Sequence, residues 1–172
     1  MSLSPSAAAQ WWRDLQGGDA GPRSKDRAAL ARLRRCGTVA EAMREPATFD
    51  LFRRCGGQSE FELSKVALLA ALLSHVREES SEWVARFVGP ESPDKPETAV
   101  LKPLRFRRLM EADGEEELLT AFRRLIALMD GKANVEDLAR ALLYWSERTR
   151  VTWTYRYWNA EAPQAQAKET AA

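Results

Sequence analysis

Twice in this chain a hydroxyl residue stands three positions ahead of a glutamate at the mouth of an apolar run: Thr38 with Glu41, and Ser59 with Glu62. At that spacing the hydroxyl accepts a backbone N–H of the first helical turn, and the carboxylate returns to an N–H at the cap. Each pair therefore commits the segment behind it to an α-helix. No stretch shows the sustained period-two alternation of a half-buried strand, and even the β-branched, aromatic run 151–158 continues a helical pattern. The sequence predicts an all-α chain with no sheet.

The remaining elements follow from start and stop signals. A short helix is predicted over 7–16, then a Gly/Asp/Pro loop over 17–22 and a helix over 25–35 with Leu30 and Leu33 as its apolar contacts. Pro46 ends the helix that Thr38 opens. A helix over 47–55 stops at Gly56 and Gly57, and the helix capped by Ser59 runs to about Arg77. Another helix fits 81–88. Residues 89–99 (GPESPDKPETA) carry three prolines and no large apolar side chain, which reads as a mobile linker. Pro103 suits the first turn of a helix to Ala112. Asp113 can cap 114–129 with Gly131 as its left-handed C′ residue, and Asn134 can cap one long helix over 135–158. The expected organisation is two small helical bundles joined by the Pro-rich linker: an N-terminal one over 6–88, a C-terminal one over 100–160, and a disordered tail over 161–172.

Composition narrows the chemistry. An apolar fraction of 45% in 172 residues is enough for a real core. Cys36, Cys55 and the sole histidine, His75, cannot supply four nitrogen or sulfur ligands, so a zinc site is excluded and no cofactor is expected. His75 follows an apolar helical run and reads as a helix-end or core histidine. The acidic run 115–117 opens a helix, where carboxylates face the positive end of the dipole. No phosphate loop, nucleophile elbow or HExxH motif is present, so the chain is read as non-enzymatic. The start MSLSPSAAAQWW lacks the pattern of a signal peptide, and the longest apolar run, 66–73, is far short of the ~20 residues that span a bilayer. A cytoplasmic protein with no membrane contact is expected.

Charge is where the sequence becomes specific. Of 26 basic residues 20 are Arg, against 25 acidic ones, so any nucleic-acid contact must come from segregated patches rather than from a global field. On a helix an arginine is neutralised by an acid three or four positions away. Arg54 has Asp50, Arg107 and Arg108 have Glu111, Arg23 has Asp26, and Arg150 has Glu147. Arg27, Arg32, Arg34, Arg35, Arg123, Arg124, Arg148 and Arg156 have none. At about 100° per residue, Leu118, Leu119, Phe122, Leu125, Ile126 and Met129 share an arc of roughly 120°. Arg123 flanks that arc and Arg124 lies away from it. Along 135–158, Val135, Leu138, Leu142, Trp145 and Trp153 share one face, with Tyr144, Arg148 and Tyr155 opposite. An aromatic–arginine–aromatic face suits base stacking or a protein interface. The residues alone thus describe a non-enzymatic helical binding protein.

Over 11–158 the ordered segments WWRDLQ, DRAALARLRRCGTVAEAMREPATFDLFRR, KVALLAALLSHV, LRFRRLMEAD and LLTAFRRLIALMDGKANVEDLARALLYWSERTRVTWTYRYW resemble the CasB family, the small subunit of the type I-E CRISPR surveillance complex Cascade. The resemblance implies a non-catalytic subunit present as two copies. Its implied partners are the large subunit, the crRNA-binding backbone subunits, crRNA, and target DNA including the displaced strand. In that family basic surfaces help hold the target-bound R-loop. Base pairing carries specificity there, and modest backbone contacts tip a nearly balanced strand exchange. Resemblance and free arginines together nominate Arg27, Arg34, Arg35, Arg105, Arg108, Arg123, Arg124, Arg148 and Arg156 as nucleic-acid ligands. Changing Arg123 and Arg124 together to Ala is expected to weaken target binding while leaving melting nearly unchanged. The alternative is a helical adaptor whose arginines meet acidic protein surfaces.

Overall fold

The computed structural model describes residues 2–161; the tail assigned to 161–172 lies, but for Glu161, outside them. Ten α-helices are present among the described residues: α1 (Pro5–Leu15), α2 (Arg27–Arg35), α3 (Val39–Met43), α4 (Pro46–Arg54), α5 (Glu60–Leu73), α6 (Val84–Val88), α7 (Pro103–Glu111), α8 (Glu115–Leu128), α9 (Val135–Leu143) and α10 (Glu147–Tyr157). The all-α class stands.

Several caps sit where the sequence put them. Ser59 and Glu62 form a complete capping box. Thr38 accepts the Glu41 N–H, while the Glu41 carboxylate reaches Gly37 rather than Thr38. Asn134 accepts the Asp137 N–H. Two caps differ. Asp113 does not cap α8: Gly114, at φ 79°, holds the cap position, and the Glu117 carboxylate accepts the Asp113 N–H. At the other end of α8 the C′ residue is Asp130 (φ 55°), and Gly131, one position further on, is left-handed as well (φ 74°). Asp130 donates to the Ala127 carbonyl and Gly131 to that of Ile126, which together satisfy two otherwise orphaned acceptors.

α5 is the axis of the molecule. Every residue from Val66 to Leu73 is buried, as a helix apolar on all sides must be. It packs against α2, α3 and α4 on the N-terminal side of the sequence and against α8 and α9 on the other. α1 lies on α9, and α6 on α10. The two sequence halves thus share one continuous buried cluster, from Trp11 and Leu33 through α5 to Phe122, Leu138 and Trp153, rather than a core each. Each leucine buried on α5 contributes about 2 kcal/mol, and that stabilisation depends on both halves.

Three further differences come from the same packing. α5 ends at Leu73, short of Arg77, because the chain turns at Ser74 and runs into a ladder: Glu78–Glu79 (β1) pairs in parallel with Lys132–Ala133 (β2). This two-residue pairing corrects the expectation of no sheet at all. The single helix expected over 135–158 is two helices. Ser146 caps α10 by accepting the Thr149 N–H, and the Thr149 hydroxyl donates to the Tyr144 carbonyl at 2.7 Å. The break lets Trp145 and Trp153 both meet Phe122 edge-on, at 5.4 and 5.6 Å between centroids. Finally, segment 89–99 is tied down. The Leu101 N–H donates to the Val88 carbonyl, the Glu91 N–H to the Thr98 hydroxyl, and Ala99 is buried. A Cβ at Gly89 would lie 2.0 Å from the Tyr157 carbonyl oxygen, so only glycine admits this close approach of α6 to α10.

Candidate nucleic-acid interface

The nine nominated arginines divide into groups. Arg105 and Arg108 on α7 and Arg124 on α8 line one groove, floored by Leu101, Leu109, Leu125 and Leu128, with a volume of about 520 Å³. All three arginines are exposed. No carboxylate lines the groove, and none of the three makes an ion pair with a described residue. Glu111, which sequence spacing offered to both Arg107 and Arg108, pairs with Arg107 at 3.3 Å. Arg108 is left free.

A second cluster gathers where α2, the end of α5 and α8 meet. Lys25 is held below the usual ammonium range, first by burial and then by Arg34, Arg27 and Arg77. His75 is pushed down to about 4, again first by burial and then by Arg123, Arg34 and Arg77. The imidazole is therefore neutral at neutral pH, and its buried Nε2 meets no hydrogen-bond partner. This agrees with reading His75 as a helix-end residue. Two of the nominated arginines here are anchored. Arg34 donates from Nε to the Ser74 carbonyl at 2.6 Å, and Arg123 donates from Nη2 to the Cys36 carbonyl at 2.8 Å. Arg123 is half-buried, and its Nε is buried without a partner. Arg123 and Arg124, expected to behave alike, thus sit on different flanks of α8, and of the two only Arg124 makes no hydrogen bond or ion pair with a described residue.

Arg35 borders a shallow depression shared with Arg32, Arg44, Glu41 and Glu45. Arg32, which has no acid on its own helix, pairs with Glu45 at 3.2 Å. Arg148 is exposed, makes no ion pair with a described residue, and belongs to neither cluster. Arg156 is not free. Its Nη1 lies 3.3 Å from the Asp137 carboxylate, itself 3% exposed, and its guanidinium stacks over Trp83 at 3.8 Å. Burial raises the Asp137 carboxyl above its ordinary value, while the Val84 N–H and then Arg156 pull it back down. The aromatic–arginine–aromatic face expected along 135–158 is divided by the helix break, and the Tyr144 hydroxyl donates instead to the Leu3 carbonyl.

Sequence reasoning passed over Lys25 and Arg77. Arg77 sits in the turn after α5, where helix spacing assigns no partners. The signal available was the density of cations around the one histidine, which becomes visible only when α2 and α8 are brought to the end of α5. Among the described residues, no three His, Cys, Asp or Glu side chains gather as metal ligands, and no helix is long and apolar enough to cross a membrane.

A family model described as CRISPR-associated protein Cse2 matches residues 29–158. No curated protein matches the chain. Two solved structures share the fold. One is a CRISPR-associated protein of the Cse2 family from Thermus thermophilus, with a TM-score of 0.66 and 22% identity over 91% of this chain and 99% of that one. The other is a chain in the crystal structure of E. coli Cascade bound to a PAM-containing dsDNA target, with a TM-score of 0.65 and 16% identity over 94% and 100%.

Proposed function

The chain belongs to the Cse2 family of CRISPR-associated proteins, the family called CasB above, and from that premise we propose that it is the non-catalytic small subunit of a type I-E Cascade complex, where unpaired arginines grip nucleic-acid backbone and stabilise the target-bound R-loop. The observation that carries this reading is the α7–α8 groove, in which Arg105, Arg108 and Arg124 converge with no carboxylate among them. Three like charges held together repel one another until an anion arrives. A phosphate backbone supplies such anions in series and releases its counterions on binding. Arginine also suits the task by geometry, because its planar fork matches phosphate oxygens two at a time. The partners follow from the same reading: large subunit, backbone subunits, crRNA, target DNA with its displaced strand, and a second copy of this chain. A fold shared with a chain of E. coli Cascade bound to dsDNA supports it.

Mechanistically the groove does not need to read sequence. Its floor is aliphatic and its cations address phosphates, so it contributes the same stabilisation to any matched target. The test is co-expression with guide RNA and candidate partner subunits. Guide RNA and the other subunits are expected to co-purify with the chain, and the complex carrying Arg105→Ala, Arg108→Ala and Arg124→Ala is expected to assemble yet bind target duplex more weakly. A triple variant that fails to join the complex would favour the adaptor reading. That second reading has an observation of its own in the furrow between α7 and α10, where Val151 is 62% exposed beside charges of both signs, and in a neighbouring depression lined by Leu104, which is 61% exposed.

A further inference from the structure

Trp83 stands immediately before α6, 44% exposed, and Phe87 follows one turn later at 37%. On the neighbouring helix Tyr155 is 50% exposed. Trp83, Tyr155, Arg86, Thr152, Arg156 and Asn159 wall a cavity of about 390 Å³. From this we infer that the cavity between α6 and α10 is a stacking site for an unpaired nucleobase, an inference that rests on the nucleic-acid reading above but uses none of the groove arginines.

Three features carry it. First, the aromatic part of the wall is held in place. Arg156 lies over the Trp83 ring at 3.8 Å while its guanidinium is held by buried Asp137. One side of the indole is thus taken up by a fixed cation, and the exposed remainder of Trp83 with the half-exposed Tyr155 ring offers π-faces that bind bases with little regard to which base presents them. Second, the frame is rigid before any ligand arrives. Arg86 donates to the carbonyls of Pro90, Tyr157 and Arg156, which fastens α6 to α10, and Gly89 admits the Tyr157 carbonyl at a distance no side chain would allow. Third, polar groups stand at the edge of the stack. Asn159 donates one amide N–H to the Glu91 carbonyl, which leaves its side-chain oxygen as an acceptor, and Thr152 lines the same cavity. Planar surface, fixed frame and edge acceptors suit a base better than an aliphatic side chain. Arg86 and Arg156 are engaged by backbone carbonyls and by Asp137, and Glu161 also lines the cavity, so the site addresses the base rather than its phosphates.

The test compares two single strands of equal length, a thymidine homopolymer and its fully abasic counterpart, by fluorescence anisotropy against the assembled complex. Both strands carry the same phosphates, so the groove arginines should hold them alike; the stacking site's share of any preference is the part that a substitution in this cavity removes. Wild type is expected to bind the base-bearing strand about tenfold more tightly. Tyr155→Ala should remove most of that preference without changing affinity for the abasic strand. Trp83→Ala should do the same where its melting temperature is retained; Tyr155, half-exposed and outside the core, decides the matter if it is not. Equal binding of both strands by wild type overturns the inference and leaves the groove reading intact. Failure to bind either strand overturns both. A Tyr155→Ala variant with unchanged strand preference that loses a protein subunit from the complex assigns the cavity to a protein partner and overturns the nucleobase.

Discussion

Arg123 and Arg124 are adjacent in sequence, carry no acid at helical spacing, and have different environments. On one flank of α8, Arg123 reaches across to the end of α2, donates to the Cys36 carbonyl and joins Arg34 and Arg77 around a neutral histidine. On the other flank, Arg124 faces α7 in an open groove with Arg105 and Arg108. Two adjacent positions on a helix point ~100° apart, and here that rotation separates an arginine engaged in holding the fold from one left available to a ligand. Absence of an acid on the same helix therefore identifies candidates but does not show that they are free. Arg32, Arg34, Arg123 and Arg156 passed that filter, and each is engaged by a residue distant in sequence: Glu45, Ser74, Cys36 and Asp137.

The contrast can be broken most forcefully at Arg156. Arg156→Ala leaves the Asp137 carboxylate buried with the Val84 N–H as its remaining described partner. Thermal unfolding should show a loss of about 2–3 kcal/mol, the low end for breaking a buried pair because Arg156 keeps some contact with water. The loss should shrink on acidification. With Arg156 gone the folded-state pKa of Asp137 rises further, and a raised carboxyl stabilises the folded state only while it is protonated, so stability falls as pH climbs through it. A melting curve indifferent to this substitution would place Arg156 among the free arginines after all.

The engaged side of α8 should also report its charge through His75. Its folded pKa of about 4 lies below the unfolded value near 6.5, so the folded state excludes a proton that the unfolded state accepts. Stability is fully present above about pH 6.5 and is lost as pH falls toward 4. A His75→Asn variant should melt with a shallower decline across that window than wild type; parallel curves would contradict the account of the cluster. A smaller effect is expected of Arg123→Ala, which removes one charged hydrogen bond and some like-charge repulsion. Melting should register a loss of about 1 kcal/mol. Smallest of all, Arg105→Ala, Arg108→Ala and Arg124→Ala together should shift stability by no more than about 0.5 kcal/mol, because exposed side chains in a groove hold nothing in place.

What the sequence could reveal divides along the same line. Ser59, Thr38 and Asn134 act on backbone within three residues of themselves, so their caps were readable in advance. The apolar arc of Leu118, Leu119, Phe122, Leu125, Ile126 and Met129 was equally local and is buried throughout. The break at Ser146 was not read, because an aromatic stripe continues across it and only Phe122, from another helix, gives Trp145 and Trp153 a reason to turn. The β1–β2 ladder joins segments more than fifty residues apart and leaves no periodic trace in two residues per strand. At the site, Arg105, Arg108 and Arg124 were nominated partly by resemblance. What brings them together is the placing of α7 beside α8 around one groove, while within α7 itself Glu111 serves Arg107, four positions away, and leaves Arg108 unpaired among the described residues.

Whether α8 divides its two arginines between fold and ligand is tested by one salt titration. Target duplex binding would be measured across a range of salt concentrations for complexes carrying Arg124→Ala or Arg123→Ala alone, with melting followed on the same preparations. Arg124→Ala is expected to flatten the slope of log K against log salt by about 1 at unchanged stability, equally for different matched targets. Arg123→Ala should lower the melting temperature and flatten the slope less. An Arg124→Ala complex that retains the wild-type slope with the subunit in place would contradict that division.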